Sequence, residues 1–287
     1  MSTANWGWML GLLALMSAGC VVETGSSELA GAGEAAEEPA AQTSDALVGG
    51  WAVPYAANTP VATHLCVLTE ISGRFAAADF VELTQSGDFW LLRRSGSVTP
   101  KAYCFPRNLF KSNNADTVIS PELTVKKTGD TSQALALGGY AFTFLTGQKG
   151  TQGLPAYANV VQSKSLTNSS LVQLIKGFPD DTVFGRSFQA GTGAAHLARF
   201  VRADGTQGDV SAVSPFELPA QPGPLRVVLA PTAKAVCTFT SLRSLVGEAS
   251  LFIRPELLDG IEKWVLTTQV RNTSVSQVRC FARDQTL

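Results

Sequence analysis

Charged residues are scarce in this chain, and long apolar segments are missing. Asp, Glu, Lys and Arg make up 16% of the 287 residues, and 45% of the residues are hydrophobic. The usual charged share of a soluble domain is about 25%. The apolar run near the N-terminus, Trp6 to Met16, has eleven residues, which is too short for a bilayer-spanning helix. The net charge of −1 argues against a nucleic-acid-binding protein.

Sequence motifs that carry chemistry are also missing. The chain has only two histidines, His64 and His196, and neither has a second His or a carboxylate at helical ligand spacing. The sequence contains no Gly-x-Ser-x-Gly elbow, no phosphate-binding loop and no His-Glu-x-x-His motif. We therefore expect no metal, no cofactor and no catalytic residue. A Ser–His–Asp triad stays open, because such triads are geometric rather than sequential.

The first 47 residues contain no Lys or Arg. They hold six acidic residues, so the remainder of the chain carries a charge of +5. From Val21 to Leu47 the composition is mostly Ala, Gly, Ser and Glu, which cannot bury enough surface to offset the entropy lost on ordering. We predict a disordered acidic tether over residues 20–47.

Small residues follow the apolar run, and Ser17, Ala18 and Gly19 directly precede Cys20. A short apolar core followed by small residues is typical of a secretory signal peptide, here residues 1–19. With Cys in the next position, the segment resembles the lipobox of bacterial lipoproteins. The resemblance implies cleavage before Cys20, acylation of Cys20 and attachment to membrane lipid on the periplasmic or cell-surface side of the envelope. Ordinary secretion with cleavage nearby is the alternative.

The rest of the chain contains an internal recurrence. Cys66-Val-Leu-Thr69 corresponds to Cys237-Thr-Phe-Thr240, Trp90 to Trp264, and Cys104-Phe-Pro-Arg107 to Cys280-Phe-Ala-Arg283. A degenerate middle copy is built from Thr143-Phe-Leu-Thr146, Leu171-Val-Gln-Leu174 and Arg199-Phe-Val-Arg202. These matches predict three units, at residues 48–119, 120–213 and 214–287.

The middle copy predicts how the cysteines pair. It lacks both cysteines together, with Thr143 and Arg199 in their places. Four cysteines allow three pairings. Because the partners in a bridge tend to be lost jointly, we predict Cys66–Cys104 and Cys237–Cys280, each closing one unit. Cys20 is then left for lipid.

Short β-branched and aromatic runs bounded by Gly, Ser, Asp or Pro predict an all-β fold. The eight predicted strands are Ala62–Thr69, Phe80–Thr84, Phe89–Arg93, Lys101–Phe105, Leu225–Ala230, Ala235–Thr240, Lys263–Val270 and Ser276–Ala282. We expect three β-rich repeats, packed around a pseudo-threefold axis or in tandem. A β-trefoil-like arrangement is the alternative, although its units would be about half as long. Short helices are predicted at Asn168–Lys176 and Pro255–Lys263, the second in conflict with a strand around Trp264.

Two sets of side chains are candidates for ligand contact. Trp90 and Trp264 are either stacking platforms or core residues beside the disulfide of their own unit. Arg107, Arg202 and Arg283 are either a ring of anion ligands or structural side chains bonded to neighbouring loops.

The expected function is a non-catalytic binding module of the bacterial envelope, with a carbohydrate, an envelope polymer or a protein as ligand. The alternatives are a structural or assembly lipoprotein without a small-molecule ligand, and a secreted hydrolase that uses His64 or His196 between repeats.

Overall fold

The computed structural model describes residues 53–54, 58–73, 75–110, 118–126, 133–137, 142–150, 157–162, 170–175, 181–189, 199–209, 212–218, 224–243, 249–268 and 276–283. The predicted signal peptide and tether, residues 1–47, lie outside this part of the chain, as do Cys20 and His196.

The described residues form β-strands and one short 3-10 helix, η1 (Arg107–Phe110). The strands of the first predicted unit are β1 (Val53–Pro54), β2 (His64–Gly73), β3 (Phe80–Ser86), β4 (Phe89–Arg94), β5 (Thr99–Pro106) and β6 (Val118–Ile119). Those of the second are β7 (Leu123–Lys126), β8 (Gln133–Leu137), β9 (Phe142–Lys149), β10 (Tyr157–Gln162), β11 (Ser170–Ile175), β12 (Thr182–Gln189), β13 (Phe200–Val201) and β14 (Gln207–Gly208). Those of the third are β15 (Phe216–Leu218), β16 (Leu225–Pro231), β17 (Ala235–Arg243), β18 (Ala249–Leu258), β19 (Ile261–Thr268) and β20 (Ser276–Ala282).

The all-β prediction is therefore correct, and strands occupy all eight places where they were predicted. The two predicted helices are wrong. Ser170–Ile175 is β11, and Pro255 lies within β18, paired with Trp264 of β19. Proline is tolerated there because β18 stops pairing with β2 after Phe252, so no partner on that side needs an N–H from Pro255.

The strands form three antiparallel sheets. Their strand orders are β1-β5-β2-β18-β19-β16, β4-β3-β9-β12-β6 and β14-β13-β20-β17-β10-β11-β8. Two further strands, β7 and β15, pair with β12 and β20. Two short strands pair with strands of the next predicted unit: β6 pairs with β12, and β13 pairs with β20.

One pairing scheme recurs in the three sheets. Each sheet contains a pair of long strands from one unit, namely β2 with β5, β9 with β12 or β17 with β20. Each also contains the hairpin of the preceding unit, so that β3 pairs with β9, β10 with β17 and β18 with β2. Because the last hairpin joins the first sheet, strand pairing links the three predicted units in a closed cycle. The strands β2, β9 and β17 also contact one another.

Each long strand pair has a register shift at the same motif. Thr69, Thr146 and Thr240 are passed over in the pairing of β2, β9 and β17 with their partners. Such β-bulges bend a strand and end regular pairing. Each of these threonines is the last residue of one of the three tetrapeptides that define the sequence recurrence.

The disulfides lie directly across these strand pairs. Cys66 pairs with Cys104 and Cys237 with Cys280, as the sequence predicts. In the middle pair, Thr143 faces Ser187, and their buried hydroxyl oxygens are 2.6 Å apart. Arg199 was the predicted counterpart of the second cysteine, and that is wrong. It lies ten residues beyond β12, just before β13.

The core is one continuous cluster with side chains from all three units. Phe142 of β9 stacks on Phe281 of β20 with ring centroids 4.1 Å apart, and Phe188 packs on the same Phe142 ring at 5.3 Å. Phe105, Phe188 and Phe281 each directly follow Cys104, Ser187 or Cys280, so equivalent positions supply these rings.

Candidate functional site

The two candidate tryptophans are core residues. Trp90 and Trp264 are 1% and 0% exposed, and each indole N–H donates to a backbone carbonyl at 2.9 Å, that of His64 or that of Ala235. Those carbonyls lie two residues before Cys66 and Cys237. Neither ring presents a face to solvent, so neither can serve as a surface stacking platform.

Strand register also corrects the counterpart of these tryptophans in the middle unit. The sequence recurrence placed the segment Leu171–Leu174 there. In each hairpin, equivalent residue pairs lie at the same distance along the strand from the residues that pair with the neighbouring unit. These pairs are Gln85–Trp90, Pro255–Trp264 and Gln162–Ser170. Ser170 therefore holds the equivalent position.

The three candidate arginines donate hydrogen bonds to backbone carbonyls of neighbouring loops. Arg107 donates to the Val61 carbonyl at 3.2 Å, and Arg283 donates to the Ala233 carbonyl at 2.7 Å, in the segments before β2 and β17. Burial lowers the pKa of Arg107, and it lowers the pKa of Arg283 to about 10. Arg202 instead bonds Thr206 and the Ala212 carbonyl, in a different loop, so it is not their equivalent.

The described residues give no support to the alternative of a hydrolase that uses His64. The Nδ1 atom of His64 lies 2.8 Å from the hydroxyl of its neighbour Thr63. Within the described ranges, no three His, Cys, Asp or Glu side chains are grouped as a metal site would need. The same part of the chain has no helix long and apolar enough to cross a membrane.

A buried ionic cluster joins the first two units. The Arg186 side chain, on β12, is 4% exposed. Its guanidinium donates to the Ser120 carbonyl at 3.0 Å and to the Thr84 hydroxyl at 3.3 Å. The Glu122 carboxylate lies 3.5 Å from Arg186 Nη2, and the guanidinium carbon lies 5.8 Å from the centroid of the Trp90 ring.

The carboxyl groups of Glu122 and Glu82 lie close enough to interact with each other. Burial raises the pKa of Glu122 to about 7, and both a hydrogen bond and charge repulsion from Glu82 act in the same direction, while Arg186 opposes them. Burial lowers the pKa of Arg186, and the two carboxylates partly offset that effect. Glu82 also pairs with Arg93 on β4 at 3.1 Å. The cluster therefore connects β3 and β4 of the first unit to β12 of the second, and it takes up a proton near neutral pH.

The exposed large apolar side chains of the described residues lie on two hairpins. Phe89 and Leu91 on β4 are 42% and 39% exposed. Leu257 on β18 and Ile261 on β19 are 73% and 51% exposed. Single exposed apolar residues are ordinary on protein surfaces, but apolar groups gathered on one feature mark interaction sites. We take these two hairpins as the candidate binding surface.

Sequence reasoning missed both features. Asp259-Gly260 between two apolar runs is typical of a β-hairpin. The hairpin was missed because Pro255 was interpreted as the start of a helix. A single buried Arg in an apolar strand has no comparable signature.

Comparison with protein-family models, with curated proteins and with solved structures gave no match.

Proposed function

We propose that this protein is an exported, lipid-anchored binding module of the bacterial envelope, held to the membrane through acylated Cys20. The observation that carries the binding role is the confinement of the exposed large apolar side chains, among the described residues, to the hairpins β3–β4 and β18–β19. We assign the binding surface to these hairpins.

The two disulfides support export. Bridges such as Cys66–Cys104 and Cys237–Cys280 persist in oxidising compartments and are rare in the cytosol. Pairing these four cysteines leaves Cys20 as the single remaining thiol of the chain. A free thiol is a liability outside the cytoplasm, whereas acylation would use it.

The shared strand scheme supports the proposal that the three units are copies of one ancestral unit. The same bulge recurs at Thr69, Thr146 and Thr240, and each hairpin joins the next unit in the same way. In each case the hairpin of one predicted unit pairs with a long strand of the next. Several related surfaces on one body allow multivalent binding.

Site-specific photo-crosslinking of the full-length protein in bacterial membranes tests the binding role. Benzoylphenylalanine replaces Leu91 or Leu257 on the hairpins, and Ala203, an exposed residue in the turn between β13 and β14, is the control position. We expect both hairpin positions, but not position 203, to give a discrete adduct. If neither hairpin position gave an adduct above that of position 203, the binding role would be wrong.

A further inference from the structure

Strand β9 buries an amide at a position where the other two predicted units bury hydrocarbon. Gln148 lies two residues after the bulge of β9, and the residues two positions after the bulges of β2 and β17 are Ile71 and Leu242. All three side chains are 0% exposed. The middle unit therefore has a polar group at a core position that is aliphatic in the first and third units.

The residues on either side of Gln148 in the sheet are also aliphatic. Gln148 pairs with Val81 of β3 and with Val183 of β12, and both valines are fully buried. Residues directly opposite each other on neighbouring strands share a face, so the two valines flank the amide. Neither the oxygen nor the nitrogen of the amide has a hydrogen-bond partner among the described residues. Because burying an amide without a partner is costly, such a group normally bonds to an ordered water molecule or a ligand.

A second buried polar group lies close by on the same strand. Thr146 is the bulge residue of β9, two positions before Gln148, and its side chain is fully buried. Its hydroxyl has no hydrogen-bond partner within the part of the chain that the structure describes. Two residues of a strand span about 7 Å. One water molecule with a hydrogen bond to each side chain can bridge such a distance, since each bond is about 2.8 Å long.

Size and charge restrict what these two side chains can bind. Gln148, Thr146 and the two flanking valines are fully buried, so a ligand has to enter through local opening of the fold. The valines bring no charge, and they therefore offer an ion no counter-charge. Water is small, and it both donates and accepts hydrogen bonds, which suits an amide and a hydroxyl.

We propose that an ordered water molecule is bound in the core between β9 residues Thr146 and Gln148, with hydrogen bonds to the hydroxyl and to the amide. Because Val81 belongs to the hairpin β3–β4, this water lies where strand pairing joins the first two predicted units. Ile71 and Leu242 offer no hydrogen-bonding side chain at the equivalent positions, so the site belongs to the middle unit. It does not depend on the proposed binding function.

A double-mutant cycle on the full-length protein, with both disulfides bridged, tests this proposal. Thr146→Val removes the hydroxyl at nearly constant shape, and Gln148→Leu introduces the residue that the third unit has at position 242. Urea unfolding gives the midpoint of each single variant and of the double variant. Thr240→Val is the matched control, because Thr240 is the buried bulge residue of β17 and lies two positions before Leu242.

We expect Thr146→Val to lower the urea midpoint by about 0.5 M in the native background. In the Gln148→Leu background it should not lower the midpoint, because the other partner of the water has already been removed. Thr240→Val should have the same effect in both backgrounds. A Thr146→Val effect that is equal in both backgrounds, or a Thr240→Val effect that depends on residue 148, would overturn the proposal.

A high-resolution crystal structure of the native protein gives a second test that needs no variant. We expect ordered density for a water molecule within about 3.2 Å of both the Thr146 hydroxyl and the Gln148 amide. An amide that bonds directly to protein atoms, or a site without this density, would overturn the proposal whether or not the variants fold.

Discussion

Glu122 shows how a single side chain can tie stability to pH in this protein. Its pKa in the folded chain is raised to about 7, whereas the ordinary value is 4.5. Between these values the folded protein binds more protons than the unfolded chain, so stability falls as pH rises from about 4.5 to 7. Below that range this group no longer changes stability with pH. Glu122 therefore favours the folded state most below about pH 4.5, and this contribution is lost as the pH rises to about 7.

Glu122→Gln removes this dependence, because an amide has the size of the protonated acid and no charge to bury. We expect the stability of the variant relative to the native protein to rise by about 1 kcal/mol or more from pH 5 to pH 8. Urea unfolding at the two pH values, with the disulfides intact, measures it. Glu256→Gln, which removes an exposed carboxylate paired with Arg226, is the control. A difference between Glu122→Gln and the native protein that did not change with pH would contradict the described cluster.

Residue patterns predicted part of the side-chain roles. The paired loss of cysteines in the middle copy gave the correct disulfides, because only one pairing keeps both bridges within a unit. The same pattern placed Arg199 opposite Thr143, whereas strand register places Ser187 there. Ser187-Phe188 in fact matches Cys104-Phe105 and Cys280-Phe281. The match was missed because Ser does not stand out in a sequence as Cys does. The motif that ends in Arg202 was aligned with the second cysteine motif instead.

The strand pair β9–β12 offers a direct test of that correction. Thr143 and Ser187 occupy the place that cystine occupies in the other two pairs, with Cα atoms 4.0 Å apart in each cystine. We expect Thr143→Cys combined with Ser187→Cys to form a third bridge. On the chain-entropy estimate, a loop of this size stabilises the fold by about 4 kcal/mol, with native-state strain reducing the gain.

Thiol titration of the unfolded protein and the urea midpoint measure the outcome. The double variant should show no more free thiol than the native chain and a higher midpoint, whereas Thr143→Cys alone should add one free thiol. Two free thiols in the double variant would mean that β9 and β12 do not pair in this register.

The strands were more predictable than the turns that join them. Apolar and β-branched runs gave eight strands in their correct places, because alternation and local propensity are properties of short segments. The hairpin β18–β19 was partly misread, since Pro255 is as typical of the first turn of a helix as of a strand position without a partner. The choice between helix and strand depends on tertiary structure, because the pairing of β18 with β2 ends at Phe252.

The assembly of the three units was the least predictable feature. The cyclic exchange of hairpins depends on pairings between distant segments, such as β18 with β2, which no local pattern specifies. That closing contact is reinforced by Glu70, whose carboxylate lies 2.8 Å from Arg254 Nη2 and 3.2 Å from Lys101 Nζ. Strands far apart in sequence are thus joined in one sheet. The protein is expected to unfold as one cooperative body rather than unit by unit.

The proposed lipid anchor at Cys20 is tested most directly by the intact mass and non-reducing peptide map of protein purified from bacterial membranes. We expect a chain that starts at Cys20 and carries acyl groups, with Cys66–Cys104 and Cys237–Cys280 bridged. We also expect that Cys20→Ser releases a soluble protein with the same two bridges. An unlipidated native chain, or a Cys20→Ser variant that stays in the membrane, would mean that the proposed anchor is wrong.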